Sequence, residues 1–209
     1  MELATLHRMF PGRFVPGIGH GVQEWMAQAG VRAASPMTLL REYDAALRAL
    51  LAGEEVSCAG RYVSLDRARL HWPPERAPLY IGGTGPKTLQ FAGRHADGVM
   101  LSGVTRETLA TSLEHIEAGV AARPSGAGRP ELVVGIGAAL GTDGHARLAS
   151  DVAAYGLYTA AGSAAEIAEV VGELSERGIG TINLVPARDE PDLAEFVTLI
   201  GEEVRPLLS

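Results

Sequence analysis

Leu79-Tyr80-Ile81-Gly82-Gly83-Thr84-Gly85-Pro86-Lys87-Thr88 reads as a strand, a turn and the start of a helix. Leu79, Tyr80 and Ile81 are apolar or β-forming residues. Pro86 suits the first helical position, where a missing N–H costs nothing. Glycines at 82, 83 and 85 allow positive φ and let a ligand approach the backbone closely. Free N–H groups at the helix start would meet an anion, and the helix dipole favours negative charge there. Lys87 is the only lysine of the chain; the remaining strongly basic side chains are all arginine. The stretch therefore reads as a phosphate-binding turn for a cofactor. The competing reading is a tight strand-to-helix connection with a surface lysine.

Upstream of the turn, Arg13 to Gly19 reads as a short strand ending in Gly19-His20-Gly21, a second glycine-rich strand end. Before it, Met1 to Phe10 reads as a helix with Leu3, Leu6 and Phe10 on one face. Ser35 and Pro36 open a helix whose apolar positions are Leu40, Tyr43, Leu47, Leu50 and Leu51, and Gly53 ends it. Arg41, Glu42, Asp44 and Arg48 then fall on a solvated face. Val56 to Leu65 suggests a hairpin turning near Ala59-Gly60, part of a small insertion over residues 54–76.

Downstream, a helix from Pro86 to about His95 leads through an Asp97-Gly98 turn to the strand Val99-Met100-Leu101. Thr105 caps a helix with Leu109, Leu113, Ile116 and Val120 on one face. Leu132 to Leu140 is a nearly all-apolar strand, as in a parallel sheet. A helix from about Asp143 to Tyr155 follows it. Ser163 and Glu166 form a capping box before a further helix that Gly178 ends. Thr181 to Val185 is the last strand. A final helix runs from Pro191 to about Val204, with Leu193, Phe196, Val197 and Ile200 facing inward.

Strands alternating with helices imply an α/β fold with parallel strands. Ligands bind where such strands end, and the glycine turns fall there. About five parallel strands in 209 residues are fewer than the eight of a complete (β/α)8 barrel. The pattern reads as a partial TIM-type barrel, a single domain over residues 1–209 with its first three β/α units missing. A net charge of −7 argues against nucleic acid as the main partner. A lone Cys58 excludes an internal disulfide and fits a reducing compartment. The scattered histidines offer no metal site. With neither a secretory leader nor a membrane span in the sequence, a cytoplasmic protein is expected.

Two stretches carry a family resemblance. One is Gly12-Arg13-Phe14-Val15-Pro16-Gly17-Ile18-Gly19-His20-Gly21-Val22-Gln23-Glu24-Trp25-Met26. The other is the turn itself, continued by Phe91-Ala92-Gly93-Arg94-His95-Ala96-Asp97-Gly98-Val99-Met100-Leu101. Together they resemble the bacterial luciferase-like monooxygenase superfamily, in particular its deazaflavin-dependent branch typified by methylenetetrahydromethanopterin reductase. The resemblance implies a TIM-type barrel and an oxidoreductase or monooxygenase. Hydride would pass between coenzyme F420 (a deazaflavin) or FMN and an organic small-molecule substrate. It places the cofactor phosphate at Gly82, Gly83, Thr84, Gly85, Lys87 and Thr88, with Gly98 and Val99 nearby. It turns Ser102 toward the substrate pocket, which Trp25 could border.

Some deazaflavin-dependent members carry a glutamate proton donor where this chain has Val22. His20 is the replacement candidate as catalytic acid, against a plain hydrogen-bonding role at a strand end. An incomplete barrel leaves edges and an apolar interior to cover, for which a homodimer is one solution. The alternatives are a non-catalytic truncated barrel or split-barrel subunit, or another phosphate-handling barrel enzyme.

Overall fold

The computed structural model describes residues 1–101, 103–155 and 157–208. The chain forms two compact units. The first comprises Met1–Val99 and Ile116–Pro130, and the second Met100–His115 and the chain from Glu131 onward.

The first unit contains α1 (Glu2–Met9), β1 (Gly17–Ile18), α2 (Gln23–Gln28), α3 (Pro36–Leu51), β2 (Val56–Ala59), β3 (Ser64–Ala68), β4 (Tyr80–Gly83) and α4 (Pro86–His95). Strand β1 pairs with β4 in parallel, Gly17 opposite Tyr80 and Ile18 opposite Ile81. It is shorter than the expected Arg13–Gly19 because Phe10 to Arg13 form a turn. Leu79 and Ile81 are fully buried, which is why this short apolar run becomes a core strand. Helix α4 buries Thr88, Leu89, Ala92 and Gly93, positions that recur with the helical repeat.

The face of α3 expected to be solvated is a clamp instead. Asp44 is only 4% exposed. Arg48 binds it at 2.9 Å, reaches Asp97 at 2.9 Å and donates to the Leu79 carbonyl at 3.3 Å. Asp97 in turn accepts the Leu79 N–H at 2.9 Å, so a turn residue ties α3 to the entry of β4. Glu42 accepts the N–H groups of Arg61, Tyr62 and Val63 at 2.9, 2.7 and 2.9 Å. These bonds, Tyr62 first, hold its carboxyl below the usual range. They seat the β2–β3 hairpin, whose Gly60 has no room for a side chain beside the Glu42 carboxylate. In α1 the buried residues are Ala4 and His7, while Phe10 is 43% exposed. The His7 ring meets Phe14 edge-on at 5.1 Å, which turns the helix away from the Leu3–Leu6–Phe10 face.

The chain crosses from the first unit to the second within β5 (Gly98–Leu101) and returns within α5 (Arg106–Val120). The second unit is built on β6 (Glu131–Leu140), with α6 (Gly144–Tyr155), β7 (Thr159–Gly162), α7 (Ala164–Glu176), β8 (Thr181–Pro186) and α8 (Leu193–Leu199). Both β7 and β8 pair with β6 in parallel, Gly137 opposite Thr159 and Val133 opposite Thr181. Val134, Ile136, Ala138 and Ala139 are all but inaccessible, the mark of a parallel strand covered on both faces.

Strand β7, Thr-Ala-Ala-Gly, adds to the strands expected; two alanines and a glycine carry little β-propensity. The Ser163–Glu166 capping box forms as expected. The last helix departs from expectation. Asp192 caps it, it widens to a π turn over Ile200–Val204, and it ends in a 3₁₀ turn, Arg205–Leu208. Phe196 and Val204 are buried, but Leu193 and Val197 are 60% and 67% exposed, so the inward face runs through Phe196 and Val204 and not through Leu193 and Val197. Among the described residues no helix is long and apolar enough to cross a membrane.

Candidate functional site

The turn after β4 presents an unshared set of main-chain donors. Gly85 is the N-cap of α4, and its carbonyl accepts from Thr88 and Leu89, both at 3.0 Å. Among the described residues, the N–H groups of Thr84, Gly85 and Lys87 meet no protein acceptor. Pro86 has none to offer. The glycines serve differently from the expectation of positive φ: none of Gly82, Gly83 and Gly85 adopts it. Strand geometry persists through Gly83, where a Cβ would lie 2.5 Å from the Thr88 methyl. Gly85 sits at φ −78° and ψ 148° with nothing within 4 Å of a Cβ position. Gly83 thus admits the helix start, and Gly85 leaves the approach to the amides open.

The end of β1 is fastened to this helix start. His20 Nδ1 lies 3.0 Å from the Gly21 carbonyl oxygen, which can only accept, so Nδ1 carries the proton. In the neutral ring Nε2 then accepts from the Thr88 hydroxyl at 2.9 Å. The same hydroxyl lies 3.3 Å from Met37 Sδ. Gln23 Nε2 donates to the carbonyls of His20 and Gly21 at 3.1 and 3.2 Å. Gly21 takes φ +70° to fold the chain back. Gly19 approaches the Gly82 carbonyl so closely that a Cβ would sit 3.0 Å from its oxygen. Both nitrogens of His20 are therefore engaged by protein. Gln23 and Met37 were not singled out from the sequence; only the Gly19-His20-Gly21 strand end pointed to this neighbourhood.

The other candidates fall elsewhere. Gly98 opens β5 and packs on the Tyr80 ring, where a Cβ would meet ring carbons at 2.5 Å. Tyr80 opens β4, so this contact lies roughly 10 Å of strand from the turn that follows Gly83. Val99 is fully buried in the core. Trp25 stands on α2, 60% exposed. Ser102 lies outside the described residues. Lys87 is exposed and shares a lateral stripe of α4 with Gln90, Phe91, Arg94 and His95, facing Arg41, Asp44 and Arg48 of α3.

Burial pushes the Asp44 carboxyl up, against the pull of Arg48. His95 lies on the Phe91 ring, centroids 4.5 Å apart. Desolvation holds its imidazole below the ordinary value; Asp44 opposes this, and Arg94, Arg48 and Arg123 add to it. Because the folded value is the lower one, the unfolded chain binds more protons just below about pH 6.5. The contribution of His95 is complete above that pH and is lost as the pH falls toward the folded value. Replacing it by glutamine should flatten the urea midpoint between about pH 7.5 and 5.5 relative to the native chain. Identical slopes for the two proteins would refute this.

The family model for luciferase-like monooxygenase matches residues 1–195. The chain belongs to the luciferase-like monooxygenase family. It is similar to 5,10-methylenetetrahydromethanopterin reductase of Methanolobus tindarius, 30% identical over 118 residues, 56% of this chain and 36% of that protein. It is also similar to an F420-dependent glucose-6-phosphate dehydrogenase of Nakamurella multipartita, 37% identical over 101 residues, 46% of this chain and 29% of that protein. The matched stretch thus spans about a third of the length of these curated relatives. Among solved structures, an F420-dependent secondary alcohol dehydrogenase in complex with an F420-acetone adduct superposes with a TM-score of 0.83 at 22% identity, over 99% of this chain and 73% of that one. At that identity the likeness is one of fold. It agrees with the α/β, TIM-type architecture expected from the strand–helix alternation. Within the luciferase-like family frame, the turn after β4 places unshared donors at a strand end, directly before a ten-residue helix.

Proposed function

We propose that this chain is the phosphate-binding part of an F420- or FMN-dependent oxidoreductase of the luciferase-like class, acting on a small organic substrate. The observation that carries the reading is the set of N–H groups of Thr84, Gly85 and Lys87, without acceptors among the described residues, at the start of the ten-residue helix α4. Main-chain donors aligned with a helix dipole suit a phosphate. The residues present fit that group, since the space beside Gly85 is open. The names of the relatives, F420-dependent dehydrogenases among them, support F420 as the first choice. A net charge of −7 supports a small-molecule ligand over nucleic acid.

In this reading the ring of the cofactor supplies hydride transfer, and the protein holds the phosphate end in place. Thr84, Gly85 and Lys87 bind it through main-chain N–H, and the Lys87 ammonium adds a longer-range attraction. His20 positions Thr88, the third residue of the helix, and so fixes the turn against the end of β1. Its Nδ1–H donates to the Gly21 carbonyl, which makes His20 a positioning residue rather than a proton donor in the resting arrangement.

The test is a titration of the purified protein with F420 and separately with FMN, followed by fluorescence. Saturable micromolar binding that inorganic phosphate competes away is expected for F420. Failure of both cofactors to bind in that range would remove the reading.

A further inference from the structure

A cleft of about 500 Å³ lies at the opposite end of β1 and β4 from the phosphate turn. One wall is the end of α1 with Pro11 and Gly12, which lead into β1; the other is residues 72–76, which lead toward β4. The phosphate turn and the bend at residues 19–21 follow the other ends of the same two parallel strands. At least the roughly 10 Å of β4 therefore separates the two places. The volume is that of a small-molecule site.

The second wall is stiff. Pro73 and Pro74 fix their own φ angles. Pro73 also packs on Gly53, just past α3, so closely that a Cβ there would lie 3.0 Å from its ring. The cleft carries Trp72, which is 44% exposed, and the exposed Arg8 and Arg76. Among the described residues neither arginine forms an ion pair. Glu75 is the acidic residue of the lining and forms none either. Two arginines and one glutamate leave the lining with one net positive charge, His7 counted as neutral.

His7 lines the cleft from α1 and is only 6% exposed. Its Nε2 is buried and has no hydrogen-bond partner among the described residues. A buried polar nitrogen left unmatched costs free energy, and the edge-on Phe14 ring supplies no oxygen to match it. An occupant of the cleft has to answer each of these groups. Trp72 calls for a flat apolar body and the guanidinium groups for a carboxylate. One net positive charge calls for one negative charge, and the imidazole for an oxygen acceptor.

We propose that this cleft binds a small aromatic monocarboxylate, at a site separate from the phosphate turn. Arg8 and Arg76 take the carboxylate, the His7 Nε2–H donates to one of its oxygens, and the aromatic ring stacks on Trp72. Glu75 limits the positive charge of the site and so disfavours dianions, free phosphate among them.

The experiment is calorimetric titration of the purified chain with 1-naphthoate at physiological salt, beside the neutral 1-naphthalenemethanol and the non-aromatic cyclohexanecarboxylate. Naphthoate should bind with a Kd of about 10–100 μM, and the other two at least about tenfold more weakly. The double variant Arg8→Gln, Arg76→Gln should lose about tenfold or more in affinity for naphthoate, and Glu75→Gln should gain about threefold. All three side chains are exposed, so the melting temperature should not move. His7→Phe removes the unmatched nitrogen; it should keep or raise the melting temperature while weakening naphthoate about tenfold. Should His7→Phe fail to fold, the arginine variant decides. Gly85→Asp, at the start of α4, should bind naphthoate as the native chain does. Equal affinity for naphthoate and naphthalenemethanol would overturn the proposal, as would no binding of naphthoate below about 1 mM. Loss of binding in Gly85→Asp with retention in the arginine variant would seat the carboxylate at the turn and overturn it too. The cofactor titration tests the turn separately, and its failure would leave this site standing.

Discussion

Gly85→Asp is expected to make the protein slightly more stable and to abolish its binding of anions. The N-cap position of α4 accepts any residue, since its φ and ψ are −78° and 148° and nothing lies within 4 Å of a Cβ. Aspartate is among the best N-caps, better than glycine by a few tenths of a kcal/mol. Its carboxylate would take the main-chain N–H of Lys87 or share that of Thr88, and its charge suits the helix dipole. A phosphate would then lose a charge-assisted hydrogen bond of roughly 1.5–3 kcal/mol and would meet a like charge. A fall in affinity of at least about a hundredfold follows, against a melting temperature that is unchanged or raised. Gly85→Ala is the control, because it adds a methyl to open space and no acceptor; it should bind within a few-fold of the native chain. Thermal unfolding and cofactor titration on the same samples read both signs. Native-like affinity in Gly85→Asp would place the anion somewhere other than the start of α4.

The same segment shows how much was legible in the sequence. Strand, turn and helix start were all present in Leu79 to Thr88, because a short apolar run, a glycine cluster and a proline at the first helical position act locally. The hairpin at β2 and β3, the capping box of α7 and the strand β6 were legible for the same reason. What the sequence could not supply was partners distant along the chain. Asp44 and Arg48 look like a solvated i,i+4 pair until Leu79 and Asp97 arrive from 31 and 49 residues away from Arg48. Glycines in a turn suggest a conformational role, yet that of Gly83 is steric: the space its Cβ would take belongs to the Thr88 methyl. His20 could be chosen as a candidate from its strand end, but its binding to Thr88, 68 residues on, decides what its nitrogens can do. Strand β7 was hidden because alanine and glycine signal no strand; its register against Gly137 to Leu140 makes it one. Leu193 and Val197 follow a helical repeat that the π turn at Ile200–Val204 then interrupts.

Gly93→Ala is expected to destabilise the protein by about 3 kcal/mol, the upper end for overpacking, although the residue lies within a helix. Alanine is the better helix former by nearly 1 kcal/mol, so propensity alone predicts the opposite sign. The structure reverses it. A Cβ on Gly93 would fall far inside van der Waals contact of the Ile116 carbonyl oxygen in α5. The contact is reciprocal, for a Cβ on Gly119 would run into the Gln90 carbonyl and the Arg94 amide of α4. The obstacles are main-chain atoms, which cannot rotate away as a side chain would. The helices must separate, and separation also strains the Arg123 guanidinium, which donates to the carbonyls of Gly93 and Ala96, both at 2.9 Å, and caps the end of α4. A loss of this size is a large fraction of the 5–15 kcal/mol typical of a folded domain. Urea unfolding should show a lower midpoint with the slope retained. Gly172→Ala makes the same chemical change in α7, where nothing lies within 4 Å of the new methyl, and it should raise the midpoint by up to about 1 kcal/mol of stability. Opposite signs for the two substitutions would establish that α4 and α5 touch backbone to backbone; stabilisation in both would mean that they do not.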